Sequence, residues 1–248
     1  MAKQRERLDE RVSREANVPV EKARGIILAG QVFSERGERL DKPAQPIELS
    51  VPLDIRFSPK YVSRGGDKLE AALTGFSIDM DGAIGLDVGA STGGFTDCLL
   101  QHGARHVYAV DVGYGQFAWK LREDARVTLI ERTNIRNLDL ATLPDPATFF
   151  VVDCSFISLT QVLPSVVPHC AADARGVVLI KPQFEAGKTE IEEGGVVRDP
   201  AIRTALVEHV LACARELGFT NCSVIPSPLL GPAGNVEFLA YLQRGDHA

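Results

Sequence analysis

The sequence predicts a mostly parallel α/β sheet of seven strands, preceded by a small α+β module. From residue 83 onward, short apolar runs alternate with amphipathic segments, which is typical of strands alternating with helices. The 248 residues are 45% hydrophobic and 24% charged, so the chain can bury a core in one or two domains. Residues 1–60 carry 12 basic and 10 acidic side chains, and the remainder carries 15 and 23. We therefore expect a soluble globular protein with a mildly basic first module and an acidic body.

The first module is predicted to contain two helices and a small sheet. A charged segment keeps Leu8 and Val12 on one face, and a second periodic segment begins near Pro19 and stops at Gly30. Turn-rich residues then separate two short apolar stretches. The predicted elements are a helix over 5–16, a helix over 19–30, and strands over 31–34 and 47–51.

A domain boundary is predicted near residue 60. Residues 51–60 contain Pro52 and Pro59 and show no consistent period, which is typical of a linker. We expect a first domain with its linker over 1–60 and a second domain over 61–248. In the second, helices are predicted over 66–76 and 200–217, and strands over 83–88, 106–111, 127–131, 148–153, 176–181, 219–226 and 236–243.

A glycine-rich turn follows the first strand of the predicted large sheet. Without side chains, the backbone of such a turn can approach a ligand closely. Asp111 ends the next strand, where an acid is suited to bind the two hydroxyls of a ribose, as in Rossmann-like nucleotide-binding folds. Alternatively, the glycines only shape the turn and Asp111 caps a helix, but we favour a cofactor site. Its candidate residues are Asp87, Gly89, Ala90, Ser91, Thr92, Gly93, Gly94, Phe95 and Asp111.

Isolated charged residues lie at the ends of apolar segments, where open sheets place their ligands. Asp153 and Lys181 each follow four aliphatic or aromatic residues, and Glu237 enters the last strand. A lysine behind such a segment is expected to be partly desolvated and able to act as a base. Lys68, one turn into a helix, offers a second cation. Taken singly, each of the four is more often an ordinary surface charge at the end of a strand or helix.

Other chemistries receive little support from the sequence. The five cysteines include no C-x-x-C pair and the five histidines no metal-like spacing, so neither disulfides nor a metal site are expected. Cys154 adjoins Asp153 without a suitably placed histidine, which disfavours a thiol nucleophile. The charged N-terminus does not resemble a secretion signal, and the longest uncharged stretches contain prolines. We expect a cytoplasmic protein that does not span a membrane.

Several blocks in one order resemble the TlyA family of RNA methyltransferases, also described as hemolysin A. The resemblance covers almost the whole chain. The most specific blocks are Ser63-Arg64-Gly65-Gly66 with Lys68-Leu69, Asp87 to Phe95, Asp111 to Gln116, Glu131-Arg132-Thr133-Asn134, Asp153 with Ser155 to Leu159, Lys181-Pro182-Gln183-Phe184-Glu185, and Gly234-Asn235-Val236-Glu237.

The resemblance implies a Rossmann-like domain that depends on S-adenosylmethionine (SAM) and is similar to the FtsJ group of ribose 2′-O-methyltransferases. In that group a Lys-Asp-Lys-Glu tetrad surrounds the target hydroxyl, and it maps onto Lys68, Asp153, Lys181 and Glu237. The glycine turn would hold the methionine part of SAM and Asp111 its ribose. The resemblance also implies an N-terminal RNA-binding domain of the type first described in ribosomal protein S-four. The residues expected to contact RNA are Arg5, Lys22, Arg24, Arg36 and Arg64.

The implied activity is methylation of a ribose 2′-hydroxyl in ribosomal RNA, without a metal. Lys181 would take the proton in its neutral form, or stabilise the alkoxide in its charged form. Because members differ at their ends, the rRNA and nucleotide stay open, as does the oligomeric state. Base methylation is disfavoured because Asp153-Cys154-Ser155-Phe156 replaces an Asp/Asn-Pro-Pro-aromatic element. A ribosome-assembly factor with an idle methyltransferase fold and a membrane-lytic hemolysin are the competing hypotheses.

Overall fold

The computed structural model describes residues 4–56, 59–187 and 189–244. Its chain divides into two compact units, residues 1–59 and residues 60–248. Each unit has a hydrophobic core of its own.

Two helices and two separate strand pairs make up the first unit. Strand β1 (Arg5–Arg7) pairs antiparallel with β3 (Pro46–Glu48), and β2 (Val32–Ser34) pairs antiparallel with β4 (Leu53–Ile55). Leu8, Val12 and Ile27 are fully buried between the helices and these strands, which explains the apolar spacing of the two helical segments. The elements are β1 (Arg5–Arg7), α1 (Leu8–Glu15), α2 (Val20–Leu28), β2 (Val32–Ser34), β3 (Pro46–Glu48) and β4 (Leu53–Ile55).

Two predictions for this unit are wrong in detail. The segment from Arg5 to Arg7 is a strand rather than the start of a helix, because it pairs with residues 46–48, a long-range contact that a local period does not reveal. The segment expected to be a linker contains β4, whose Leu53 and Ile55 pack against the unit's core. Its prolines lie outside the paired residues, where they remove no ladder hydrogen bond.

A seven-stranded sheet forms the second unit, with strand order β10-β11-β9-β8-β5-β6-β7. Four neighbouring pairs are parallel, and β11 is antiparallel to both of its neighbours. The elements are α3 (Gly65–Gly75), β5 (Ile84–Val88), α4 (Gly94–Gln101), β6 (His106–Val110), α5 (Trp119–Arg122), β7 (Val127–Ile130), β8 (Ala147–Val152), α6 (Leu159–Val166), β9 (Cys170–Ile180), α7 (Pro182–Glu185), α8 (Pro200–Glu216), β10 (Asn221–Pro226) and β11 (Phe238–Gln243).

Both faces of this sheet are covered, which accounts for the continuous apolar runs in its central strands. One face packs against α3 and α4, and the other against α6 and α8. The chain proceeds outward from β5 through β6 to β7, then returns to the other side of β5 with β8. The strand order therefore reverses between β5 and β8, and the crevice at their carboxyl ends is where such sheets bind ligands.

The predicted mostly parallel, Rossmann-like α/β fold is confirmed, including its seven strands. Strand bounds differ by one or two residues except in β9, which begins at Cys170 rather than at residue 176 and whose first four residues are less buried than its apolar second half. Glu237 comes immediately before β11 instead of within it.

Candidate active site

The glycine turn connects β5 to α4 in a conformation that requires glycine. Gly89 and Gly93 have φ values of +84° and +93°, and even Ser91 lies at +50°. A Cβ at Gly89 would lie 2.6 Å from the carbonyl oxygen of Asp153, so a side chain cannot be accommodated there. The turn is thus packed directly against the tip of β8.

Two cavities adjoin this turn and share Gly89, Ser91 and Asp153 in their walls. The larger, of about 840 Å³, lies between the turn, the start of α3 and the loop before β11. The smaller, of about 520 Å³, opens over the tips of β5, β6 and β8. We call them the transfer cavity and the side cavity. The transfer cavity is lined by Ser63, Arg64, Gly65, Lys68, Gly89, Ala90, Ser91, Thr92, Gly94, Phe95, Asp153, Leu230, Gly231, Pro232 and Gly234.

An ion pair joins the carboxyl ends of β8 and β9. Lys181 Nζ lies 2.7 Å from Asp153 Oδ1 and donates a hydrogen bond of 2.9 Å to Ser155 Oγ. The Lys181 side chain is 10% exposed and that of Asp153 is 24% exposed. Asp153 Oδ1 has no hydrogen-bond partner among the described residues, so this contact is an ion pair without a hydrogen bond, and the Lys181 donors that do not face Ser155 stay available to a ligand. The pair can hold a hydroxyl and exchange a proton with it.

A second ion pair joins α3 to the residue that precedes β11. Lys68 Nζ lies 2.5 Å from Glu237 Oε2, and the Glu237 side chain is fully buried. Lys68 lines the transfer cavity, whereas Glu237 lies behind it. Within the described residues, Glu237 Oε1 has no hydrogen-bond partner. The structure therefore places Lys68 and Asp153 on the wall of the transfer cavity, and each forms an ion pair with another residue of the predicted tetrad, Glu237 or Lys181, that lines neither cavity.

Asp87 lies beneath the glycine turn and lines neither cavity. It is fully buried, and its Oδ2 accepts a 2.6 Å hydrogen bond from Thr96 Oγ1 in α4. Burial raises the pKa of this carboxyl to about 7, and the neighbouring Asp153 charge acts in the same direction. Its visible role is to hold α4 against β5.

Asp111 is engaged with the backbone on both sides of the side cavity. Its Oδ2 accepts from the Ser91 N–H at 2.7 Å, and its Oδ1 accepts from the Gly113 N–H at 2.6 Å. A carboxylate has about four lone-pair sites, so acceptor capacity remains for two hydroxyl groups. Asp111 thus fixes the turn and still faces the cavity.

Most of the sequence-predicted cofactor residues line these cavities. Gly89, Ala90, Ser91, Thr92, Gly94 and Phe95 line the transfer cavity, and Asp111 lines the side cavity. Gly93 instead packs toward Phe117 and Leu121. Burial raises the pKa of Cys154 to about 12, so the protonated thiol is strongly favoured.

Sequence reasoning assigns no role to Ser155 or to the loop from Leu230 to Gly234. Ser155 comes two residues after a strand tip, a position that could have marked it as a partner of Lys181. The loop is rich in proline and glycine, a composition that indicates turns but does not reveal that they cover Glu237.

The cations predicted to contact RNA differ in their surroundings. Arg5 lies 3.5 Å from Glu48 Oε1, and Arg24 lies 2.9 Å from the buried Asp9. Lys22 and Arg36 are exposed and form no ion pair with any residue that the structure describes. Arg64, in the second unit, is exposed at the start of α3 and lines the transfer cavity.

No helix in the described part of the chain is long and apolar enough to cross a membrane.

Residues 61–244 match the family model of the FtsJ-like methyltransferases. The chain is 46% identical over 225 residues to the 16S/23S rRNA (cytidine-2′-O)-methyltransferase TlyA of Mycobacterium tuberculosis, covering 90% of this chain and 84% of that relative.

Two further similarities cover nearly all of the chain. It is 41% identical over 237 residues to hemolysin A of Brachyspira hyodysenteriae, covering 95% of this chain and 98% of the relative. A solved structure described as a hemolysin of Streptococcus thermophilus matches with a TM-score of 0.74 and 41% identity, covering 99% and 90%. Relatives with either name match over most of their length, which confirms the resemblance noted in the sequence. The chain therefore belongs to the FtsJ-like methyltransferases and, among them, to the TlyA family.

Proposed function

We propose that this protein transfers the methyl group of SAM to a ribose 2′-hydroxyl of ribosomal RNA in the cytoplasm. The observation that carries the proposal is the ion pair between Lys181 and Asp153, because Asp153 lines both cavities beside the glycine turn. Such a pair suits the removal of a proton from a weakly acidic hydroxyl.

The residues at the two cavities fit SAM. The side cavity has apolar walls for an adenine ring and carries Asp111, whose free lone pairs suit ribose hydroxyls. The turn residues from Gly89 to Thr92 line the transfer cavity, so their backbone is available to a ligand chain. When bound, SAM supplies a methyl group on a positively charged sulfur. The methionine part would extend along Gly89 to Gly94 into the transfer cavity.

The acceptor hydroxyl would lie beside Lys181, within reach of its remaining donor position. Lys181 in its neutral form takes the hydroxyl proton, and the Asp153 carboxylate 2.7 Å away stabilises the ammonium so formed. Ser155 fixes the amine through its 2.9 Å contact. Because Lys181 is only 8% exposed, water competes little for this site.

The second pair supports the same site from the other wall. The positive charge of Lys68 on the wall of the transfer cavity offsets the negative charge of nearby carboxylates, and Glu237 holds Lys68 in place. Together the four side chains orient a hydroxyl and a methyl donor toward each other. Positioning of this kind accounts for a large part of the rate of bimolecular transfer.

Cations of the first unit would provide sequence-independent contacts to RNA phosphates. Lys22 and Arg36 suit this role because they are exposed and unpaired among the described residues. The 2′-hydroxyl distinguishes RNA from DNA, so the proposed acceptor also explains why RNA is the expected partner.

A methyl-transfer assay tests the proposal. Purified protein and tritium-labelled SAM are incubated separately with small subunits, large subunits and protein-free rRNA from cells lacking the enzyme. We expect label in the RNA of at least one preparation. Absence of label in all three, with SAM bound normally, would support the idle-fold hypothesis and overturn the proposed function.

The same assay examines the RNA contacts through matched variants. Lys22→Gln and Arg36→Gln, each tested alone, should weaken RNA binding by about two- to threefold and reduce its salt dependence. Arg5→Gln, which removes a cation already facing Glu48, serves as the control and should weaken it less. Equal effects would contradict the assignment of Lys22 and Arg36.

A further inference from the structure

The loop that precedes β11 covers the buried Glu237 carboxylate. Leu230, Gly231, Pro232 and Gly234 form part of the transfer-cavity wall, and Glu237 lies directly behind them. The backbone of the loop returns to the same residue, since the Ser227 N–H donates to the Glu237 carbonyl at 2.8 Å. Glu237 is thereby enclosed between this loop and Lys68.

Gly231 is a glycine for steric reasons rather than for its backbone angles. Its φ of −74° and ψ of −175° are accessible to any residue. A Cβ added there, however, would overlap Glu237 Oε1 and approach the rest of the carboxyl group. Absence of a side chain at this position is therefore what leaves space for the carboxylate.

Asn235 fixes the backbone of the loop through several hydrogen bonds. Its side chain is buried and donates to the carbonyls of Gly195 at 3.0 Å and Pro232 at 3.1 Å, while its Oδ1 accepts from the Val197 N–H at 3.2 Å. Its own carbonyl accepts from the Gly231 N–H at 2.8 Å. If a side chain were added at Gly231, the flexible carboxylate would move more easily than this backbone.

We propose that Gly231 is a positioning residue. Because Gly231 has no side chain, the Glu237 carboxylate fits beneath the rigid loop and stays in contact with Lys68. This inference rests on the proposed function, because Lys68 contributes to transfer through its place on the cavity wall. Any side chain at Gly231 would displace Glu237 from Lys68 and leave the Lys68 ammonium mobile. The loop would keep its fold.

Gly231→Ala should lower the single-turnover rate of methyl transfer on the order of 10- to 100-fold, since misplacement by about 1 Å can cost that much. The KM for SAM and the affinity for RNA should change little, because neither Asp111 nor the first unit is touched. Gly187→Ala is the matched control. Gly187 also has an ordinary φ, and a Cβ there would make only a 3.4 Å contact with Glu190 Oε2, so the rate should stay at the wild-type level.

A double-mutant cycle separates positioning from general damage. In a Glu237→Ala background the space beneath Gly231 is free, so adding Gly231→Ala should change neither the rate nor the melting temperature. In the wild-type background it should lower both. A structural role unrelated to Glu237 would give the same loss in both backgrounds, and this result would overturn the proposal.

Each outcome of the cycle decides the matter. If Gly231→Ala does not fold, the added Glu237→Ala change should restore folding, and failure to restore it would also overturn the proposal. A Gly231→Ala variant with wild-type rate and melting temperature would also overturn the proposal. A wild-type protein that transfers no methyl group would refute the proposed function instead, while the melting temperatures would still test the contact between Gly231 and Glu237.

Discussion

The two ion pairs of the site differ in how they reach the cavity. Lys181 and Asp153 stand at the carboxyl ends of neighbouring parallel strands, and Asp153 retains 24% exposure of its side chain. Lys68 and Glu237 are 169 residues apart, join α3 to the residue just before β11, and include a carboxylate with no exposure. Because only the first pair has both a free donor position and an accessible carboxylate, we infer that it handles the proton. The second pair supports the wall.

Removal of Lys181 should have the largest effect. Lys181→Ala loses the amine, and Lys181→Arg keeps the positive charge but replaces the amine with a guanidinium that does not deprotonate. We expect both to lower the single-turnover rate on the order of 100-fold or more, with SAM binding preserved. An arginine variant with near wild-type rate would show that Lys181 supplies only charge.

Matched amide substitutions compare the pairs directly. Asp153→Asn and Glu237→Gln each remove one negative charge and keep the shape of the side chain. The first should cost on the order of 100-fold in rate and the second about tenfold, because only Asp153 stabilises an ammonium formed during proton transfer. Single-turnover rates at saturating SAM measure both. Equal losses would remove the distinction between the pairs.

SAM binding should depend on Asp111 and not on either ion pair. Asp111→Ala removes an acceptor of ribose hydroxyls and two hydrogen bonds to the turn, so SAM binding should weaken by about 1 to 3 kcal/mol. RNA affinity should barely change. Calorimetry with SAM measures the effect. An unchanged dissociation constant would mean that Asp111 only shapes the turn.

Asp87 is a buried carboxyl group that contacts no cation among the described residues, unlike Asp153 and Glu237. Its raised pKa of about 7 lets the folded chain keep a proton that the unfolded chain loses near pH 4. The stability due to this proton is therefore fully present below about pH 4 and is lost as pH rises to about 7.

Asp87→Asn should thus gain in melting temperature relative to wild type between about pH 5 and pH 8, by a few degrees. Thermal unfolding followed by circular dichroism at several pH values measures this. A difference that does not vary with pH would place the carboxyl in a less buried environment than the structure describes.

Much of this site could be predicted because its residues follow strand ends. Asp153 and Lys181 stand directly after buried apolar runs, and strand tips of parallel sheets meet at one edge. The pairing within the tetrad could not be predicted, since it depends on the long-range placement of α3 and β11. The same limit hid strand β1 and the covering of Glu237 by Gly231.

The most direct test of the account is the chemical position of the transferred methyl group. RNA labelled by the wild-type protein is digested to nucleosides, which are separated and identified by mass spectrometry, with Lys181→Ala as the parallel reaction. We expect the label in a 2′-O-methylnucleoside, and we expect the Lys181→Ala reaction to contain at most about a hundredth as much at equal times. Label on a base, or equal label with Lys181→Ala, would contradict it.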